Sequence, residues 1–195
     1  MQLDENYWAS RYIEGKTQWD TGAITTPLKA YFEQLSDKSV SILIPGCGNA
    51  YEAEYLHQAG YKNVFLVDVS DIPLQNFARR CPDFPEEHLL HKDFFNIERT
   101  FDLIIEQTFF CALLPSQRGA YALKCAELLK DGGHLVGVLF NDELFQDHPP
   151  YGGYKEDYVR FFEPYFDFKV FDKCYNSISP RAGRELFINL IKKQF

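Results

Sequence analysis

An apolar run, Ser41-Ile42-Leu43-Ile44, enters the turn Pro45-Gly46-Cys47-Gly48, and a stretch of helical character follows it. Twenty residues beyond Gly48, Asp68 closes a second apolar run. Strand, glycine turn, helix, strand and terminal acid form the opening unit of a nucleotide-binding α/β sheet. Glycine at both turn positions removes the side chains that would keep a ligand from the backbone. A carboxylate at the end of the second strand can accept both hydroxyls of a ribose.

The rest of the chain repeats the alternation of short β-type runs with longer amphipathic stretches, which predicts a mostly parallel sheet with helices on both faces. Strands are expected at 41–44, 64–68, 89–91, 101–106, 134–140, 166–175 and 185–191, and helices at 50–58, 73–80 and 116–129. Asp131-Gly132-Gly133 reads as the stop of the last helix. The loop through Ser179-Pro180-Arg181-Ala182-Gly183 is too short for a parallel crossover, so the sheet should finish with an antiparallel strand. The expected fold class is α/β, a Rossmann-like seven-stranded sheet. Residues 1–195 read as a single domain, in which an aromatic-rich segment, 1–35, precedes the sheet.

Composition narrows the partners. With 28 acidic against 20 basic residues the formal charge is -8, which opposes a phosphate-tracking surface and so nucleic acid. No window has the apolar length a bilayer span needs, and the first residues lack a signal core. Five cysteines without a C-x-x-C pair fit neither a disulfide framework nor a zinc cluster, so reduced thiols, a cytoplasmic location and no metal are expected. His91-x-Asp93 has no second pair to complete a metal site, and His148 and the acids at 142–147 read as loop residues.

A lone Gly-x-Gly also suits a ligand-free turn or an NAD-dependent oxidoreductase. The third glycine of a pyrophosphate-binding turn is replaced here by Tyr51, whose bulk argues against a dinucleotide.

Further motifs are more specific: Trp8-x3-Tyr12-x6-Trp19-Asp20-x-Gly22, Ile44-Pro45-Gly46-Cys47-Gly48-Asn49-Ala50, Val67-Asp68-Val69-Ser70, Lys92-Asp93-Phe94-Phe95, Phe101-Asp102-Leu103-Ile104, Phe109-Phe110-Cys111-Ala112-Leu113, Leu128-Leu129-Lys130-Asp131-Gly132-Gly133 and His148-Pro149-Pro150-Tyr151. Together they resemble the S-adenosylmethionine-dependent methyltransferases of the thiopurine and plant halide/thiol family, over most of the chain. The resemblance implies that Trp8, Tyr12 and Trp19 cover S-adenosylmethionine, that Gly46 lies beside its amino-acid portion with Gly48 a further cofactor-binding residue, that Asp68 takes the ribose, and that Asp93 and Phe94 flank adenine. Two positions depart from the plant pattern: Tyr12 stands where Trp is usual, and Gln107, a further cofactor contact, stands where Asp-Tyr precedes Phe-Phe-Cys.

Methyl transfer from a sulfonium is an in-line displacement, and an acceptor that is already an anion needs no strong general base. The expected acceptor is a small soft nucleophile: a thiol or sulfide first, then a thiopurine, halide or thiocyanate. Trp19, Phe109, Phe110, Tyr151, Arg181 and Arg184 are the expected acceptor pocket, no residue is assigned as catalytic, and Cys111 reads as a buried inert thiol. The protein is expected to act as a monomer or weak homo-oligomer. The remaining alternative is a non-catalytic S-adenosylmethionine-binding module.

Overall fold

The structure, a computed structural model, describes residues 2–194, so the first and last residues of the expected domain lie outside the described residues. Seven strands form one sheet: β1 (Ile42–Pro45), β2 (Val64–Asp68), β3 (Leu89–His91), β4 (Phe101–Gln107), β5 (Leu129–Phe140), β6 (Phe166–Lys173) and β7 (Glu185–Lys192). Their order is β3-β2-β1-β4-β5-β7-β6. The first five pair in parallel, and β7 inserts antiparallel between β5 and β6.

Every residue of β1 and β2 is buried, the pattern of central parallel strands covered on both faces. Alternate side chains divide between two cores. Leu43, Phe65, Val67 and Ile104 pack on one face with Tyr121, Cys125 and Phe162. Ile42, Ile44, Leu66 and Ile105 pack on the other with Leu28, Leu56 and Phe77.

The helices are α1 (Glu5–Ile13), α2 (Thr26–Phe32), α3 (Tyr51–Gln58), α4 (Asp71–Arg80), α5 (Arg118–Leu128) and α6 (Lys155–Phe162). Three of these, α1, α2 and α6, escape the sequence reading. In α2, Pro27 sits in the first turn, where its missing N–H is not needed, and Leu28 and Phe32 enter the core. In α6, Glu156 and Asp157 in the first turn and Arg160 in the last complement the helix dipole, while Tyr158 and Phe162 are buried.

The expected helix 116–129 is shorter and differently ended. Pro115–Gln117 is a 3-10 turn, α5 stops at Leu128, and Leu129 already pairs with Phe101 as the first residue of β5. Asp131-Gly132-Gly133 lies inside β5, where the pairing register with β4 shifts between Phe101 and Leu103. Glycine serves here as a strand irregularity rather than a helix stop, with Gly132 at φ 73°.

The sheet reverses its winding between β1 and β4, so the crevice beyond the carboxyl ends of these strands is where an open α/β sheet binds ligands. Among the described residues no helix is long and apolar enough to cross a membrane.

Candidate active site

A cavity of about 830 Å³ opens beyond the carboxyl ends of β1, β2 and β4. Its wall combines the glycine turn, the ends of β2 and β4, α1 with the segment after it, the loop after β5 and the turn before β7.

On the glycine turn, Gly46 and Gly48 both have φ 53°, a left-handed conformation that a Cβ disfavours. A Cβ on Gly46 would also stand 2.7 Å from Phe109 Cγ. Gly46 lines the cavity; Gly48 does not, because the Tyr12 hydroxyl lies over it, 3.2 Å from where a Cβ would sit. The Gly48 N–H donates to Asp68 Oδ2 at 3.1 Å, and the Ser70 N–H donates to Oδ1 at 2.9 Å. Burial nevertheless outweighs these bonds and pushes the Asp68 carboxyl up to about 6. Each carboxylate oxygen has a second lone-pair direction beyond its backbone bond.

After β3, Asp93 caps a 3-10 turn by accepting the Phe95 N–H at 2.9 Å. Phe94 is buried on the cavity wall and meets Phe109 edge to face at 5.4 Å.

Helix α1 crosses the opening. Asp4 caps it by accepting the Tyr7 N–H at 3.0 Å, and Tyr7, Trp8, Arg11 and Tyr12 share the stripe that faces the cavity. No residue of α1 is fully buried, so the helix lies on the body rather than in it. Trp19 completes the cover, packing edge to face with Trp8 and Tyr12, each at 5.7 Å. The cover is tied down by the Arg181 guanidinium, which donates to the Trp19 carbonyl at 2.9 Å, and by Asn49, whose amide donates to Asp20.

The end of β4 is organised by Glu106, a fully buried carboxyl that sequence reading missed. One of its oxygens accepts the N–H groups of Phe109 at 2.8 Å and Phe110 at 2.9 Å, and the other accepts the Tyr121 hydroxyl at 2.5 Å. Burial pushes it up to about 7 against these bonds. The turn it holds, with Thr108 at φ 58°, sends Phe109 to the cavity and Phe110 into the core. The visible signal was a lone acid ending an apolar strand, as Asp68 does in β2.

Four sequence-predicted residues therefore stand off the cavity wall. Besides Gly48, Phe110 packs among Tyr121, Tyr158 and Phe162, with centroids 5.1 to 5.6 Å away. Gln107 faces α2, where its side chain accepts the Thr25 hydroxyl at 3.1 Å. Tyr151 is buried behind Pro149 and Pro150, which do line the wall. Its backbone is pinned from two sides: its N–H donates to Cys111 O at 2.7 Å, and the buried Arg118 donates to the carbonyls of Tyr151 and Gly152 at 3.0 Å. A lone arginine at the start of a helix gave no sign of this clamp.

Arg181 and Arg184 both reach the wall. Arg181 is only 7% exposed, lies 3.6 Å from Glu185, and its Nη1 has no hydrogen-bond partner among the described residues. Arg184 is exposed and paired with Asp142. Cys111 is on the wall as well, but burial pushes its thiol up to about 12, leaving it protonated and a poor nucleophile at neutral pH. All five cysteines are free and buried.

Sheet order, carboxyl-end crevice and acid-tipped β2 define the class of a Rossmann-like methyltransferase. The thiopurine S-methyltransferase family matches residues 3–188, and the chain belongs to it: it is a methyltransferase whose methyl donor is S-adenosylmethionine.

Similar proteins include probable thiol methyltransferase 2 of Arabidopsis thaliana, 29% identical over 91% of this chain and 81% of the relative. Thiocyanate methyltransferase 1 of Brassica oleracea is 29% identical over 76% of this chain and 68% of the relative. Among solved structures, the 1,6-didemethyltoxoflavin-N1-methyltransferase of Burkholderia thailandensis, with S-adenosylhomocysteine bound, has a TM-score of 0.75 at 18% identity, over 97% of this chain and 87% of that one. A TehB-like methyltransferase of Corynebacterium glutamicum has a TM-score of 0.69 at 17% identity, over 97% and 98%. These two share the fold. Family membership sets aside the oxidoreductase reading of the glycine turn.

Proposed function

We propose that the protein transfers the methyl group of S-adenosylmethionine to a small, soft, anionic sulfur nucleophile, a thiolate or sulfide foremost, with thiopurines, thiocyanate and halides as further acceptors. The observation that carries this reading is the charge of the cavity. In a chain of net charge -8 its wall bears five Arg or Lys side chains (Arg11, Lys16, Lys92, Arg181 and Arg184) and two acids, Asp68 and Asp93. Asp68 ends β2 and Asp93 follows β3 beside Lys92, whereas Arg181 and Arg184 precede β7 on the other side of the switch point with no acid on the wall next to them. That asymmetry suits a donor at one end and an anion at the other.

The donor's chemistry matches the residues at the first end. Asp68 retains lone pairs for a ribose diol, Gly46 leaves backbone open for the amino-acid portion, and Asp93 and Phe94 offer an acceptor and an apolar face to adenine. Trp8, Tyr12 and Trp19 present aromatic faces and edges over the opening, which attract a cation and exclude water. When bound, S-adenosylmethionine supplies an electrophilic methyl carbon on a sulfonium. The protein's part is to hold an acceptor in line with it against Phe109 and Arg181 in a dry cavity. Names of the relatives point the same way, since they include a thiol and a thiocyanate methyltransferase.

The test is to incubate purified protein with S-adenosylmethionine and bisulfide, an aromatic thiol, a thiopurine, thiocyanate or iodide, and to measure S-adenosylhomocysteine. Product that depends on the sulfur acceptors is expected. Donor binding without product from any acceptor would leave the binding-module reading in its place.

A further inference from the structure

Anionic acceptors need no base, but aliphatic thiols are mostly protonated at pH 7. Resting on the thiol reading above, we propose that His148 is the proton acceptor that generates the thiolate from such neutral thiols.

The loop after β5 puts Leu144, Phe145, His148, Pro149 and Pro150 on the cavity wall. It is not a loose loop. Asp142 pairs with Gly153 and Phe145 with Tyr151 as isolated β-bridges. Its far arm is fastened to Cys111 and Arg118, the bonds that pin Tyr151. The His148 ring lies against Phe145 at a tilt of 36°, with centroids 4.1 Å apart.

Within that frame the imidazole's tautomer is determined by its neighbour. Nδ1 lies 2.8 Å from the Pro149 carbonyl oxygen, which can only accept, so Nδ1 carries the proton and donates. Nε2 is then the basic nitrogen, and it has no hydrogen-bond partner among the described residues. Asp147 Oδ1 lies 3.7 Å from Nε2, beyond a hydrogen bond. Asp147 is the charged group set directly against the ring, and Arg11, Arg181 and Arg184 share the cavity.

Four other ionisable groups on the wall are poorly suited to this task. Asp68 ends β2, and the lone pairs left by its two backbone bonds are those assigned above to the ribose. Burial pushes the hydroxyl of Tyr12 and the thiol of Cys111 well up, which keeps them protonated. Asp93 follows β3, and His148 follows β5. Four inter-strand steps separate those two strands, roughly 19 Å at about 4.8 Å each. His148 thus stands at the acceptor end, on the strand side away from the ribose-binding acid.

The step balances without another reactant. The thiol S–H bond breaks, its proton passes to Nε2 and its electron pair stays on sulfur. That sulfur forms the new bond to the methyl carbon while the donor's carbon–sulfur bond breaks, leaving a neutral thioether and S-adenosylhomocysteine. The imidazolium then returns its proton to water.

The test compares wild type with His148→Asn, whose amide can still donate to the Pro149 carbonyl but has no counterpart of Nε2. Each is assayed with 2-mercaptoethanol and with thiocyanate, an acceptor that has no proton to lose, from pH 6 to 9.5. For the thiol, H148N should lower kcat/KM by about 100-fold or more at pH 7, and the deficit should shrink as the thiol ionises by itself. Transfer to thiocyanate should stay within about threefold of wild type, a generous margin for changed packing around the loop. Equal losses on both acceptors, or none on the thiol, would overturn the proposal. Wild type inactive on both acceptors would overturn the thiol reading and this inference together. Nitrogen-15 NMR of the His148 ring is a second readout, free of turnover. The neutral form should be the Nδ1–H tautomer, and an Nε2–H tautomer would refute the assignment.

Discussion

Replacing Glu106 by Gln should change how the protein's stability depends on pH, by an amount that follows from burial. The carboxyl is fully buried, and the cost of desolvating its anion exceeds the help of three hydrogen bonds, lifting it from 4.5 to about 7. In the unfolded chain the same group ionises near its ordinary value. Between those two values the folded state keeps a proton that the unfolded state has lost. The associated stability is therefore complete below about pH 4.5 and disappears as pH rises through about 7. At about 1.4 kcal/mol per pH unit, that difference amounts to about 3 kcal/mol. Gln has nearly the same shape, and its carbonyl can still accept the Phe109 and Phe110 N–H groups. Its amide can donate to the Tyr121 oxygen, so no polar atom need be orphaned. Urea unfolding of both proteins at pH 5, 6, 7 and 8 would measure the effect. The stability of E106Q relative to wild type should rise by about 2 to 3 kcal/mol between pH 5 and pH 8, whatever its value at pH 5. Parallel curves would refute the reasoning, because they would mean that the buried carboxyl titrates as it does in water.

Four further outcomes are expected. Gly46→Ala places a methyl against the Phe109 ring in a left-handed backbone; it should lower stability by about 2 kcal/mol and abolish measurable donor binding, and normal calorimetric affinity would contradict the placement of the donor. Asp68→Ala should weaken S-adenosylmethionine binding about 100-fold, on the scale of a lost charged acceptor, and titration calorimetry showing unchanged affinity would mean the ribose lies elsewhere. Arg118→Met removes the donors to the Tyr151 and Gly152 carbonyls; limited proteolysis should then cut within 141–154 faster than in wild type, and equal rates would deny the clamp. Because α1 has no fully buried residue, its amides should exchange hydrogen quickly in the free protein and more slowly with S-adenosylhomocysteine; identical exchange with and without the ligand would argue against a cover that closes.

What was legible in the sequence was what local pattern encodes. Continuous apolar runs at 42–44 and 64–67, bounded by turn residues, read as strands covered on both faces, and a turn with φ above zero at Gly46 and Gly48 calls for residues without a Cβ. The short link before β7 forces an antiparallel neighbour, though its insertion between β5 and β6 needed the structure. Residues Trp8, Tyr12, Trp19, Gly46, Asp68, Asp93, Phe94, Phe109, Arg181 and Arg184 do come together around one cavity.

Where the sequence was silent, the deciding contacts are ones that no local pattern announces. Phe109 and Phe110 are equivalent in composition, and the bonds that their N–H groups donate to Glu106 hold the turn that sends one outward and the other into the core. Pro149, Pro150 and Tyr151 form one motif, yet Arg118, more than thirty residues earlier, pins the backbone so that the prolines face the cavity and the tyrosine does not. Helices α2 and α6 bury only two or three side chains each against the core, and α1 buries none fully, so each offers few core positions for periodicity to reveal. Asp131-Gly132-Gly133 is as good a helix stop as a strand irregularity; pairing with β4 decides, because Leu129 gains a hydrogen-bonded neighbour only by leaving the helix. Local chemistry determined the scaffold and the glycine-turn end of the cavity. The opposite end was decided by hydrogen bonds to buried Glu106 and from buried Arg118 and Arg181, because a buried polar group must find its partner wherever the fold supplies one.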